Sequence, residues 1–143
     1  MSIRHKIPLV ARTLLGLAFL VFGLNFFLQF LPQPAMQPEA GAFLGQLVAG
    51  KILTVIKLVE IGAGFLLITN RFVPLALTLL APVEVGILMF HSVFEPAGLP
   101  LPVIFVALTI YLAWSYRSVF APLLQVQVEP TTSETVARQR VTA

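Results

Sequence analysis

The sequence predicts an all-α fold: an integral membrane bundle of four transmembrane helices, with both termini in the cytoplasm. Hydrophobic residues make up 58% of the 143-residue chain and charged residues only 10%, whereas a soluble domain carries about 25% charged residues. The mean hydropathy is +0.95. Four apolar stretches are each near the ~20 residues that a helix needs to cross a bilayer. This composition argues against a secreted disulfide scaffold, a nucleic-acid binder and a disordered chain.

The four predicted helices are separated by short connectors, most of which contain proline. They cover residues 9–31, 44–69, 72–94 and 99–117. None of the four apolar stretches alternates polar and apolar residues as a barrel strand does. Because backbone groups in hydrocarbon must bond within their own segment, the spans are predicted to be helices. The second connector is only Asn70 and Arg71, which predicts an antiparallel hairpin of the second and third helices.

Basic residues set the predicted orientation. Connectors 32–43 and 95–100 contain no Lys or Arg, whereas seven basic residues lie at the other ends of the spans. These seven are Arg4, Lys6, Arg12, Arg71, Arg117, Arg138 and Arg140. The positive-inside rule then places both termini in the cytoplasm. We therefore expect a multi-pass protein of the cytoplasmic (inner) membrane. Residues 1–122 form the predicted transmembrane domain, and residues 123–143 a polar cytoplasmic tail that we expect to be disordered.

Six polar or ionisable residues fall inside the predicted spans and form the candidate site. They are Asn25, Lys51, Lys57, Glu60, Glu84 and His91. An isolated charge at the bilayer centre costs about 2.5–3.5 kcal/mol on insertion scales. We therefore expect these side chains to face the interior of the bundle and to find partners there.

Spacing along the helices predicts which of these groups meet. Lys57 and Glu60 are three residues apart, so they share a helix face and can pair directly. The short hairpin places Lys57 opposite Glu84 and Lys51 opposite His91. Lys51 also lies about 180° around the helix from Glu60, at 100° per residue, so the alternative is that its side chain extends to the lipid headgroups.

Two interpretations of this polar group remain open. In the functional one, Glu60, Glu84 and His91 face one cavity between the second and third helices, closed by the first helix near Asn25, and the group relays a proton or binds a polar ligand head. In the structural one, the Lys57–Glu60 pair and the other polar side chains only hold helices together.

Missing residue types narrow the chemistry further. The chain has no Cys, which excludes thiolate catalysis, iron–sulfur clusters and Cys-ligated zinc within it. Of its two His, only His91 lies in an apolar run, and a single His makes no metal site. We therefore expect no catalytic residue, no metal and no intrinsic cofactor, and an enzyme is disfavoured.

Four blocks of the sequence match motifs of one membrane-protein family in order and spacing. They are residues 12–25, which start with RTLLG and end with GLN, residues 57–67 (KLVEIGAGFLL) with 70–76 (NRFVPLA), residues 81–91, which start with AP and end with FH, and residues 111–117 (YLAWSYR). Together they span about residues 12–124 and resemble the DoxX-like family. The resemblance implies a four-helix membrane bundle, which the hydropathy pattern predicts independently.

The resemblance also implies a role in redox metabolism. Some DoxX-like proteins accompany membrane oxidoreductases that pass electrons toward quinone, and others are linked to oxidative-stress complexes. Glu60 and His91 match characteristic positions of the family, which implies a quinone contact through acid–base groups as the one cofactor contact. The expected function is a non-catalytic accessory subunit whose partners are the lipid bilayer, an oxidoreductase subunit and further copies of itself. The alternatives are a small-molecule, lipid or proton-coupled binding or transport bundle, and a purely structural membrane component.

Overall fold

The computed structural model describes residues 3–128, with side chains from Lys6 onward, and all regular structure in this range is helical. The six α-helices are α1 (Ile3–Leu28), α2 (Pro38–Ala49), α3 (Ile52–Ile68), α4 (Val73–Val93), α5 (Pro100–Ser115) and α6 (Arg117–Phe120), with 3₁₀ turns at Pro96–Gly98 and Ala121–Leu124. The predicted all-α class is confirmed for these residues. Most of the predicted tail, residues 129–143, lies outside the described residues.

The long helices are apolar on all sides, which is typical of membrane spans. Large apolar side chains are exposed on each of them, for example Leu14 on α1, Leu58 on α3, Met89 on α4 and Ile110 on α5. By length and composition, Lys6–Leu28 of α1 and Val73–Val93 of α4 can each cross a membrane. A third span results if α5 and the segment Arg117–Leu124, which bends away by 78°, are counted as one. These helices indicate a membrane protein.

The predicted helix over residues 44–69 is wrong in its continuity. The chain is already helical from Pro38, stops at Ala49 and starts again at Ile52. At the break Lys51 adopts the left-handed region, with φ of 62°, and its N–H donates to the Val48 carbonyl at 3.0 Å. Gly50, immediately before Lys51, would destabilise a continuous helix by about 1 kcal/mol relative to alanine. Ending the helix at this point therefore costs little stability. Lys51 therefore lies exposed at a helix terminus, not inside a continuous span.

Four helices pack around one another in a closed order. α1 contacts α3 and α5, while α4 contacts α3 and α5. The α3–α4 connection is a tight turn in which Asn70 and Phe72 have φ of 58° and 50°. The buried core lies at the end of the bundle where α3 passes into α4. Its fully buried members include Leu15, Phe19, Leu67, Leu80 and Leu112.

A close contact joins the backbones of α1 and α3. A Cβ atom added to Gly64 would stand 2.7 Å from the Gly16 carbonyl oxygen and 2.8 Å from the Leu20 nitrogen, both backbone atoms. A Cβ added to Gly16 would stand 2.9 Å from the Gly64 carbonyl oxygen. Small residues permit such an approach in membrane helices, where packing rather than hydrophobic burial drives association.

We predict that Gly64→Ala destabilises the protein by about 1–3 kcal/mol, because the added methyl group meets backbone atoms that cannot yield. Thermal unfolding in mild detergent measures the change. Gly62→Ala is the matched control, since its Cβ would have no atom within 4 Å. The control should be neutral or slightly stabilising, because alanine favours the helix over glycine by up to ~1 kcal/mol. Equal melting temperatures for the two variants would contradict the close contact.

Candidate functional site

Lys57 and Glu60 form an ion pair on one face of α3. The Lys57 Nζ donates to both carboxylate oxygens of Glu60, at 2.9 Å to Oε1 and 2.8 Å to Oε2. The side chain of Glu60 is only 1% exposed and that of Lys57 is 19% exposed. The pairing expected from their spacing is therefore present in the structure. It binds Lys57 to its own helix, and this lysine does not reach Glu84.

Glu84 finds its partner on the neighbouring helix α5. The Thr109 hydroxyl donates to Glu84 Oε1 at 2.6 Å, and both residues are buried. Lys57 was expected opposite Glu84, but both contacts of its Nζ go to Glu60. The sequence analysis did not include Thr109. A signal was present, because Thr109 is a hydroxyl inside the last apolar stretch and Glu84 had no basic partner on its own helix.

Asn25 closes the end of α1. Its side chain is 5% exposed, and its Oδ1 accepts a hydrogen bond from the Leu31 backbone N–H at 2.7 Å. Its backbone carbonyl accepts from the N–H of Gln29 at 2.9 Å, and Gln29 has φ of 51°. The carbonyls of the last turn of a helix and the amides just beyond it need such partners. Asn25 therefore shapes the exit from α1, and no contact in the structure makes it the lid of a cavity.

His91 is held against the connector between α4 and α5. Its Nδ1 lies 2.9 Å from the Ile87 carbonyl oxygen, and since a carbonyl only accepts, Nδ1 is the protonated nitrogen. A Cβ added to Gly98 would stand 2.6 Å from the His91 Cδ2, so glycine is what lets the ring lie there. Lys51, which was expected opposite His91, is exposed at the α2–α3 break and makes no hydrogen bond to it.

The candidate residues are thus bonded separately rather than to one another, except for Lys57 with Glu60. A groove of about 500 Å³ does run along α3 and α4, but none of the six candidate residues lines it. Its walls are Val55, Leu58, Val59, Gly62, Ala63, Phe65, Leu66 and Leu79. Within residues 3–128 no three His, Asp or Glu side chains are close enough together to hold a metal ion. In this arrangement each buried acidic side chain has a hydrogen-bond partner, Lys57 for Glu60 and Thr109 for Glu84.

The burial of one charged residue was not predicted from the sequence. Arg12, on α1, is 5% exposed, although it was expected to mark the cytoplasmic end of the helix. Its Nε and Nη1 are enclosed and have no hydrogen-bond partner among the described residues. Its position four residues before Gly16, on the face that meets α3, was the available signal.

We predict strong coupling between Lys57 and Glu60. Lys57→Met leaves a buried carboxylate without its cation and Glu60→Leu leaves the cation unpaired, each at a cost of about 3–5 kcal/mol, whereas the double variant should be near neutral. A double-mutant cycle of unfolding free energies in detergent measures the coupling. Lys51→Met is the matched control, because Lys51 is exposed, and it should change stability little. Additive losses in the double variant would show that the two side chains do not interact.

A second prediction concerns the link between α4 and α5. Thr109→Val removes the donor to a buried carboxylate and should cost about 1–3 kcal/mol. Thr78→Val is the control, because that exposed hydroxyl bonds only the Pro74 carbonyl of its own helix. Adding Glu84→Leu to Thr109→Val should recover most of the stability, since this contact then contains no buried polar side-chain atom without a partner. Failure of Glu84→Leu to recover any stability would argue against the bond.

Comparison with known proteins adds no relative to this description. No protein-family model, no curated protein and no solved structure matches the chain. The paired polar groups and the apolar helix surfaces are therefore the features that bear on function.

Proposed function

We propose that this protein spans the cytoplasmic membrane four times, with α1, α3, α4 and α5 as the spans and both termini in the cytoplasm. The ring of contacts supports this, because α3 lies between two helices that are each long enough to cross. The charge distribution supports the orientation. Lys6 and Arg71 lie at one end of the bundle, with Arg117 following α5, whereas the backbone N–H of Gln37 donates to Glu95 at 2.6 Å at the other.

Within that membrane we propose a non-catalytic accessory subunit of a membrane oxidoreductase or quinone-linked process. The observation that carries the non-catalytic role is the pairing of both buried acids inside the chain, Glu60 with Lys57 and Glu84 with Thr109. Side chains paired in this way stabilise a single helix, as in α3, or the packing between two helices, as in α4 and α5. The redox association, and a quinone contact near Glu60 and His91, rest on the resemblance to DoxX-like proteins.

A second candidate function is the binding of a lipid or another apolar small molecule. The groove along α3 and α4 favours it, since its walls are apolar and it is open to the surroundings of the bundle, as contact with an acyl chain requires. Gly62 lies in this groove with no atom within 4 Å of its Cβ position. A Cβ at that position therefore displaces no neighbour, and a larger side chain would extend into the groove.

Cysteine labelling tests the proposed topology without background, because the chain has no Cys. We expect Gln33→Cys, in the exposed first connector, to react with an impermeant maleimide applied outside intact cells. Ser118→Cys, exposed just after α5, should react only after the membrane is opened. Both positions are polar and exposed, so the pair controls for reactivity. The opposite labelling pattern would reverse the orientation, and labelling of both from outside would remove one span.

Co-purification tests the accessory function. A tagged full-length chain, extracted in mild detergent, should bring down a partner subunit with a flavin, haem or thiol site, identified by mass spectrometry and by its absorption spectrum. Gly62→Leu separates the two candidates, because it fills the groove. If the wild type carries an apolar small molecule that Gly62→Leu lacks, and no cofactor-bearing partner is present, the binding function replaces the accessory one.

A further inference from the structure

Arg12 is a buried cation. It lies at the end of the bundle that also carries Lys6 and Arg71, which is called the inner end below. It shares the face of α1 that carries Leu15, Gly16 and Phe19, and this face meets α3. The position of a Cβ on Gly16, one turn further along, is 3.0 Å from the Leu67 Cβ. Arg12 therefore lies toward the end of α3, beside the buried core, with a side chain only 5% exposed.

No described acid is placed to neutralise Arg12. Glu60 is bound to Lys57 and Glu84 to Thr109, while Glu95 accepts from the Gln37 backbone at the opposite end of the bundle. Glu39 lies in the first turn of α2 at that same opposite end. Glu129 and Glu134, which complete the six acidic residues, lie outside the described part of the chain.

The physical chemistry of arginine makes this unpaired burial informative. A guanidinium stays charged in proteins, so it cannot lower the cost of burial by losing its proton. Two enclosed nitrogen atoms whose N–H groups have no acceptor add the cost of their lost hydrogen bonds to water. The other buried polar side chains of the bundle have partners, and Arg12 is the exception among the described residues. A bound anion would neutralise the charge of Arg12 and would also accept hydrogen bonds from its free N–H donors.

We propose that Arg12 binds an oxyanion at the inner end of the bundle, either the phosphate of an anionic lipid headgroup or a free phosphate. The planar guanidinium matches a phosphate through paired N–H donors better than an ammonium does. Exposed Lys6 lies at the same end and raises the local concentration of anions. Because Nε and Nη1 are enclosed, binding requires the side chain to turn toward that end of the helix. The proposal does not depend on the accessory function.

Thermal unfolding of the full chain in three kinds of vesicle tests the proposal. The vesicles are phosphatidylcholine in chloride buffer, phosphatidylcholine with phosphatidylglycerol in the same buffer, and phosphatidylcholine with inorganic phosphate at equal ionic strength. We expect the wild type to melt about 5 °C higher with its anion than in the first vesicle, as ligand binding to the folded state requires. A shift with phosphatidylglycerol identifies the lipid as the source, and a shift with inorganic phosphate identifies the free ion.

Three variants assign the shift to Arg12. Arg12→Leu should lose it and Arg12→Lys should keep less than half of it, while Arg71→Leu, the matched control at an exposed arginine, should keep it. The lysine variant retains the charge, so it answers the question if Arg12→Leu does not fold. No shift in the wild type, or an equal shift in Arg12→Leu or an equal loss in Arg71→Leu, overturns the proposal. So does a Glu129→Gln, Glu134→Gln variant as unstable as Arg12→Leu, which would place the counter-ion within the chain.

Discussion

Backbone contact between α1 and α3 at Gly16 and Gly64 is the constraint on which the rest of the bundle depends. In hydrocarbon, helices gain little from burying apolar surface, so their association relies on close packing. The two glycines bring the carbonyl of each helix to the position that a Cβ would take on the other. Further along the same seam, Gly23 lies against Ile61 and the Lys57 carbonyl. The seam therefore shields α3 at the turn where its ion pair is formed.

Polar groups in this bundle are satisfied over short distances. Glu60 uses a lysine on its own helix, His91 a carbonyl of its own helix, and Glu84 a hydroxyl one helix away. The bonds of Glu60 and His91 tolerate small movements between helices because both partners lie on the same helix, whereas the Glu84–Thr109 bond links α4 to α5. These bonds also leave the outer surfaces of α3 and α4 largely apolar, apart from hydroxyls such as those of Thr78 and Ser92, which bond carbonyls of their own helix. Such a surface suits contact with lipid or with the apolar surface of another membrane protein.

Features that depend on neighbours in sequence were predictable, and those that depend on three-dimensional packing were not. The helical class follows from apolar runs, and the Lys57–Glu60 pair follows from a spacing of three, so both were expected. The partner of Glu84 is a threonine 25 residues away, and which hydroxyl of α5 faces α4 is decided by helix rotation. Arg12 looks like an ordinary terminal basic residue until the approach of α3 at Gly16 encloses it. The break at Lys51 reflects the left-handed conformation of one residue, which hydropathy does not register.

The same break has a consequence for the surrounding bilayer. α3 has 17 residues, or about 26 Å at 1.5 Å per residue, against a hydrocarbon thickness of about 30 Å. Its first amides have no side-chain cap, so they need water or lipid headgroups. α1, with 26 residues, has no such shortage. α5 is shorter still, with 16 residues, and it lies diagonally opposite α3, since each of the two contacts both α1 and α4. A four-span bundle of this kind would have two short corners, and hydrophobic mismatch would thin the bilayer beside both of them. Such a bundle would favour membranes, or membrane regions, that are thinner than average.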